Sequence, residues 1–417
     1  MKLLRFDQPN FEQTLAQEIA ASSLFDATIE ARVRDVIAAV RERGDAALVE
    51  LTERFDHVRL TDLRVKTRVT PPPADLRRAI AVAHRNVAEF AKRSLRKDWQ
   101  MRNAQGGIVG EKFDPIGRVG IYVPGGTAPL VSTVIMTVTL AKVAGCKEIV
   151  VCSPPPINPA LRYAAQVAGA TELYQIGGAQ AIAALALGTP TIKRVAKIYG
   201  PGNAYVTAAK RLLFGEVGID MLSGPSELLV LADGSADPRY IAADMLAQAE
   251  HGSGYERVWL VTTSAQIATA TAAEYDRQLA ALSRRDFVAK ITPVIVVAKT
   301  LKQAVVIANQ FAPEHCEIMT TKSRQVLRQI TTAGAVFLGP WTPTVVGDYV
   351  AGPSHALPTG GAGAWFAGLT VDQFQRRTSV VEFTKQALQK SWPVLAAFGG
   401  VEGLDAHVKS AQIRASK

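Results

Sequence analysis

Four segments carry side chains whose types and spacing could do acid–base or metal chemistry. In Gln248-Ala249-Glu250-His251 the amide and the imidazole are three positions apart, on one face of a helix. That helix is well punctuated, with Asp237 suited to its N-cap, Pro238 to its first turn and Gly252 to the position past its end. His251 in the last turn reads either as a metal ligand or as a favourable charge at a helix C-terminus. Pro313-Glu314-His315-Cys316 places two adjacent acid–base groups where an apolar strand begins, and such a pair could move protons. Cys316 beside them admits a covalent role, although a cysteine in an apolar strand is ordinarily inert. The third segment is Val346-Gly347-Asp348-Tyr349 followed by Gly352-Pro353-Ser354-His355, and the fourth is Glu402-Gly403-Leu404-Asp405-Ala406-His407. The chain has six histidines, and four of them (His251, His315, His355, His407) fall in these segments. His57 and His84 lie in charged helical surroundings and read as surface residues. Gln, His, Asp and His make a mixed nitrogen and oxygen set that suits zinc, manganese or cobalt better than calcium.

A dinucleotide fingerprint is missing. No GxGxxG follows a strand, and Gly252-x-Gly254 and Gly361-x-Gly363 stand in the wrong context. Other glycine clusters do follow strand candidates: Pro124-Gly125-Gly126, Gly177-Gly178 and Gly200-Pro201-Gly202-Asn203. They fall at carboxyl ends of strands, where open α/β sheets bind ligands and helix N-termini hold phosphate. They could equally be tight turns.

The elements that must position these residues alternate along the chain. Residues 11–96 mix charged and apolar residues at helical spacing. From residue 119 strands are expected at 119–123, 148–152, 173–176 and 196–199, with helices at 130–144, 159–168, 179–187 and 204–214. The rhythm then repeats, with strands at 228–231, 258–261, 294–297, 316–319 and 335–338 and helices at 238–251, 265–282, 301–311 and 324–330. The fold class expected is therefore α/β, with two parallel-sheet units. A glycine-rich stretch, 360–368, leads into a partly helical tail.

The bulk composition excludes several classes. A chain of 417 residues with 48% hydrophobic and 20% charged residues is globular and long enough for more than one domain. The uncharged stretch 119–140 contains Pro124, Gly125, Gly126 and Pro129, so it reads as a buried strand, loop and helix rather than a membrane span. Three cysteines cannot make a disulfide framework and the start lacks an apolar signal core, which points to a reducing, cytoplasmic setting. The net charge of +10 is spread along helical stretches without interleaved aromatics, so no nucleic-acid partner is expected.

Taken together, the motifs resemble those of the histidinol dehydrogenase family. They are Gly120-Ile121-Tyr122-Val123-Pro124-Gly125-Gly126, Gly177-Gly178-Ala179-Gln180-Ala181-Ile182, Gly200-Pro201-Gly202-Asn203-Ala204-Tyr205-Val206, Gly224-Pro225-Ser226-Glu227 and the His-bearing segments above, in the family's order. The resemblance implies a homodimer that oxidises L-histidinol to L-histidine through the aldehyde, with NAD and one Zn2+ per subunit (Mn2+ or Co2+ being possible). It matches Gln248, His251, Asp348 and His407 to the metal ligands and Glu314 and His315 to the proton acceptors. Tyr122, Gln180 and Asn203 match the NAD contacts. Ser226, Gln248, His251, His315, Asp348, His355, Glu402 and His407 match the substrate contacts, with Glu402 and His407 reaching the partner's site from the tail. It also implies two Rossmann-like units, one inserted into the other: 1–117 joined to the larger domain, 118–227 inserted, 228–365 carrying the catalytic and metal residues, and 366–417 a small dimerisation tail.

The sequence departs from the family at several places. Gly252-Ser253-Gly254 replaces a short acidic turn, Leu140 a proline, Thr344 a glutamate, Cys316 an aliphatic residue, and Ala362-Gly363-Ala364 before Trp365 a Thr-Ala-Arg run. The last change leaves substrate preference more open than chemistry. A related dehydrogenase for another amino alcohol or polyol, and a zinc hydrolase in which Glu314 activates water, stand as alternatives.

Overall fold

A computed structural model describes residues 1–20, 26–66, 69–125 and 129–415. Gly126, part of the first glycine cluster, lies outside them, as do short pieces of the expected helical region 11–96. Fifteen strands form three sheets among the described residues.

The first large sheet contains β2 (Arg64–Val65), β5 (Arg118–Tyr122), β6 (Glu148–Cys152), β7 (Glu172–Tyr174), β8 (Lys197–Tyr199) and β9 (Gly218–Ile219). Its order is β2-β7-β6-β5-β8-β9, parallel except for the β2 edge. The second contains β1 (Lys2–Arg5), β10 (Glu227–Ala232), β11 (Arg257–Thr262), β12 (Val294–Val297), β13 (His315–Met319) and β14 (Ala335–Leu338). Its order is β1-β12-β11-β10-β13-β14, wholly parallel. The chain starts in this second sheet, leaves to build the first unit and returns at β10, so one unit is inserted into the other. In each sheet the order reverses once, between β5 and β8 and between β10 and β13. The third sheet is antiparallel, β15-β4-β3, from β3 (Trp99–Arg102), β4 (Ile108–Pro115) and β15 (Gln375–Glu382).

The central strands are mostly apolar and buried along nearly all of their length because helices cover both faces. Val119 and Ile121 pack to one side with the helix Val131–Ala144, whereas Tyr122, Val150 and Cys152 pack to the other with the helix Gly178–Leu187. The uncharged stretch thus supplies most of β5 and most of that buried helix, and no helix among the described residues is long and apolar enough to cross a membrane.

The N-terminal region is divided differently from the expectation. Among the described residues before the first unit, β1 and the helix Phe11–Ala20 pack into the core of the second unit, through Leu4, Phe11 and Leu15. Val33, Val36, Ile37 and Val40, then Leu48 and Leu51, pack onto the first unit against Ala181 to Leu185, and Ile80, Val87 and Ala91 pack onto its opposite face. Helical spacing gave each helix an apolar stripe but said nothing of which sheet it would meet. Beyond β15 the tail forms the helices Lys385–Glu402 and Asp405–Ala415.

Candidate active site

The acid–base pair stands where β13 begins. Glu314 and His315 are both buried, and the backbone of Glu227 on neighbouring β10 holds both. The Glu227 N–H donates to Glu314 Oε2 at 2.8 Å, and the Glu227 carbonyl lies 3.0 Å from His315 Nδ1. A carbonyl can only accept, so Nδ1 carries the proton, and in the neutral ring Nε2 is the nitrogen with the lone pair a base needs. Burial disfavours the His315 imidazolium, but the Glu314 carboxylate 3.5 Å away, the Asp348 charge and the Glu227 carbonyl outweigh it and raise the group to about 9.

Glu227 was not singled out from the sequence. Its carboxyl is buried and pushed up to about 7 by burial, with the Glu314 charge adding to the rise and Arg257 opposing it. Arg257 reaches Glu227 at 3.2 Å and also donates to the carbonyls of Glu18 and Ile19, tying the start of β10 to the N-terminal helix. The available signal was an acid at the first position of an apolar strand.

The helix Pro238–Ala249 brings the next donors. Asp237 caps it through the Arg239 N–H, as its sequence suggests. The helix stops at Ala249, two residues short of the expected end, so His251 sits in the turn beyond it. Gln248 is buried, while His251 is exposed, with Nδ1 3.1 Å from the Gln248 carbonyl and 3.0 Å from its side-chain amide nitrogen. That leaves Nε2 as the nitrogen Gln248 does not engage. Asp348 lies on the short helix Thr344–Tyr349. Burial would raise its carboxyl, but His355, His315 and His251 together hold it below the usual range. His355 Nδ1 is 3.5 Å from Asp348, and its Nε2 is 3.2 Å from the Thr133 hydroxyl. Thr133 belongs to the first unit, so His355 bridges the two units beside the pair.

The second unit therefore presents its site residues at the amino ends of β10 and β13, not at the carboxyl ends that the general rule for open α/β sheets favours. The amino ends are where the first unit packs: Ser354 donates to the Met136 carbonyl and Thr207 to the Ser223 carbonyl. Ser226 sits in the loop just before β10.

The first-unit candidates do follow carboxyl ends. Tyr122 closes β5 and is buried, which raises its phenol to about 12, and its Oη accepts the Gly178 N–H at 3.1 Å. Gln180 is buried in the first turn of the helix Gly178–Leu187, whose N-cap residue Gly177 has no side chain to cap it. Asn203 is exposed and caps the helix Ala204–Leu213 through Tyr205 and Val206. The loop before it is pinned at both polar groups of Gly200. Asp220 accepts the Gly200 N–H at 2.8 Å, Lys210 donates to its carbonyl at 2.9 Å, and Lys210 and Asp220 form a buried ion pair. Gly200 has φ +108°, and a Cβ there would stand 2.1 Å from the Tyr122 carbonyl oxygen, so only glycine fits.

The profile described as Histidinol dehydrogenase matches residues 20–415. A Geobacillus kaustophilus protein named histidinol dehydrogenase is 46% identical over 397 residues, 92% of this chain and 93% of that one. One from Synechococcus is 43% identical over 399 residues, covering 92% of each. The crystal structure of histidinol dehydrogenase from Elizabethkingia anophelis superposes with a TM-score of 0.93 at 34% identity, over 99% of this chain and 98% of that one. The chain belongs to the histidinol dehydrogenase family.

One chain brings together part of the family's expected set. Gln248, His251, Glu314, His315, Asp348 and His355 are linked by the contacts and charges above. Glu402, which ends one tail helix, and His407 in the other are exposed. Among the described residues no three of His, Cys, Asp or Glu lie close enough to hold a metal ion. Cys316 is fully buried, with its thiol pushed up to about 12 by burial, so it belongs to the core rather than to the chemistry. His57 is exposed as expected, whereas His84 is half-buried, which lowers it.

Proposed function

We propose that this protein oxidises L-histidinol through the aldehyde to L-histidine, passing one hydride to each of two NAD molecules, with a zinc ion or a similar divalent cation at its centre. The observation that carries the reading is the buried Glu314–His315 pair, held by one residue's backbone and adjoining Asp348 and His355.

The donor chemistry fits a divalent cation. Gln248, His251 and Asp348 would offer two oxygens and one nitrogen on adjoining helix ends, a partial set of donors of the kind zinc accepts. His407 from a second copy would complete it. The tail supports that arrangement, because Phe398, Val401 and Ile413 leave apolar side chains uncovered in the single chain. For NAD, the N-terminus of the helix Gly178–Leu187, whose N-cap residue Gly177 brings no side chain, suits a phosphate, and Tyr122, Gln180 and Asn203 surround the switch point of the first sheet.

When bound, NAD supplies the hydride acceptor and the cation a Lewis-acidic anchor for the substrate's nitrogens. The protein does the rest. His355, Ser226 and, from the partner's tail, Glu402 orient the substrate. His315 Nε2 takes the hydroxyl proton in the first oxidation. Glu314 takes a proton from water as it adds to the aldehyde, and His315, having released its first proton to solvent, takes the hydrate's proton in the second oxidation. Positive charge near Asp348 cancels one source of the raised His315 value, which favours the neutral base the reaction needs. His315→Ala is expected to lower both oxidations by roughly 10²- to 10⁴-fold. Steady-state assays with alcohol and with aldehyde test this, and an unaffected alcohol step would reject His315 as the base.

A further inference from the structure

Below the acid–base pair lies a second pair of carboxyl groups. Glu317 follows His315 by two residues on β13, so both side chains leave the same face of the strand. Glu317 is almost wholly buried. Its Oε1 accepts the backbone N–H of Thr344 at 3.0 Å, which caps the helix Thr344–Tyr349. The Asp244 carboxyl, on the helix Pro238–Ala249, forms its other contact. With both groups ionised, Glu317 Oε2 has no donor among the described residues. Two buried carboxylates in contact cannot both ionise, and one proton between them turns the orphan into a hydrogen bond. Burial raises both groups, Asp244 to about 6 and Glu317 well above the carboxylate range.

Each partner in this contact stands one structural repeat from a site residue. Asp244 is one turn before Gln248 on the same helix face. Thr344 is one turn before Asp348, and Glu317 is one strand repeat from His315. A single buried contact thus joins the strand bearing the base to both helices bearing cation donors. We propose that the Glu317–Asp244 pair, joined by one proton and capping Thr344, is a positioning strut that sets Gln248 and Asp348 at the spacing a divalent cation requires.

The inference rests on the cation site proposed above, and its test separates the two. Zinc affinity of the metal-free protein is measured by competition with a chromogenic chelator, alongside thermal melting, for the wild type and for Asp348→Ala, Glu317→Gln, Glu317→Leu and Asp244→Ala. Glu317→Gln keeps an acceptor for Thr344 and gives Asp244 an N–H donor, so its affinity is expected within about threefold of wild type. Glu317→Leu and Asp244→Ala are expected to weaken zinc by roughly 10- to 100-fold. Asp244→Ala retains the Thr344 cap and carries the test if Glu317→Leu fails to fold. A folded Asp244→Ala variant that melts lower but binds zinc like the wild type overturns the strut, as does a Glu317→Gln variant no better than Glu317→Leu. If Asp348→Ala alone weakens zinc, the strut fails and the cation site stands. If the wild type binds no zinc, or Asp348→Ala binds it equally well, both fail.

Discussion

Replacing Glu314 by glutamine removes one charge and one proton acceptor while keeping the shape. The amide oxygen can still accept the Glu227 N–H, so the start of β13 should hold its place. Two consequences follow from the geometry. The water-addition step loses its base, which costs roughly 10²- to 10⁴-fold in aldehyde oxidation. His315 also loses a carboxylate 3.5 Å away. With both groups buried, an effective dielectric constant of about 20 makes that attraction on the order of 4 kcal/mol. At about 1.36 kcal/mol per pH unit, His315 should titrate lower by roughly one to three units. A base must be neutral to act, so the acid limb of alcohol oxidation should move to lower pH. The sign for stability follows the same path. The raised His315 stabilises the fold below its unfolded value of 6.5, and that contribution is lost as the pH rises through about 9. In the metal-free protein the His315-linked loss in Glu314→Gln should therefore be largest in acid and fade in alkali. The assay is the pH profile of each oxidation measured separately, with NMR titration of His315 in the metal-free variant. Equal loss in both steps, or an unmoved acid limb and His315 resonance, would refute the reasoning.

Lys210→Met leaves the buried Asp220 carboxylate unpaired and should cost about 3–5 kcal/mol in denaturant unfolding. It also frees the Gly200 carbonyl, so the KM for NAD should rise more than kcat falls, and an unchanged KM would detach that loop from the cofactor. Mixing His251→Ala with His407→Ala chains should restore roughly a quarter of wild-type activity through hybrid dimers with one intact site. No restoration would place His407 in its own chain's site. Cys316→Ala should keep full NADH yield and lose about 1 kcal/mol of stability, whereas a large loss of turnover would return Cys316 to the chemistry.

The nine strands expected from residue 119 onward appear within about two residues of their places, because a strand buried on both faces reads as a continuous apolar run. What was illegible shares a cause. β15 is exposed along most of its length, so Gln375–Glu382 carries no alternation to read. β1, β2 and β9 are short edges whose pairing depends on distant partners. The His-bearing segments were visible, but not that they gather at amino ends of strands, which depends on how the inserted unit docks. Glu227, Asp244 and Glu317 were passed over although each is an acid in an apolar setting, a costly placement that signals a partner.

NADH released per L-histidinol, by protein stripped of metal and by the same protein reloaded with zinc, tests the central claim most directly. Two NADH per substrate with zinc and none without it is the predicted result. A yield of one or none from zinc-loaded protein, or an undiminished yield after chelation, would contradict the account.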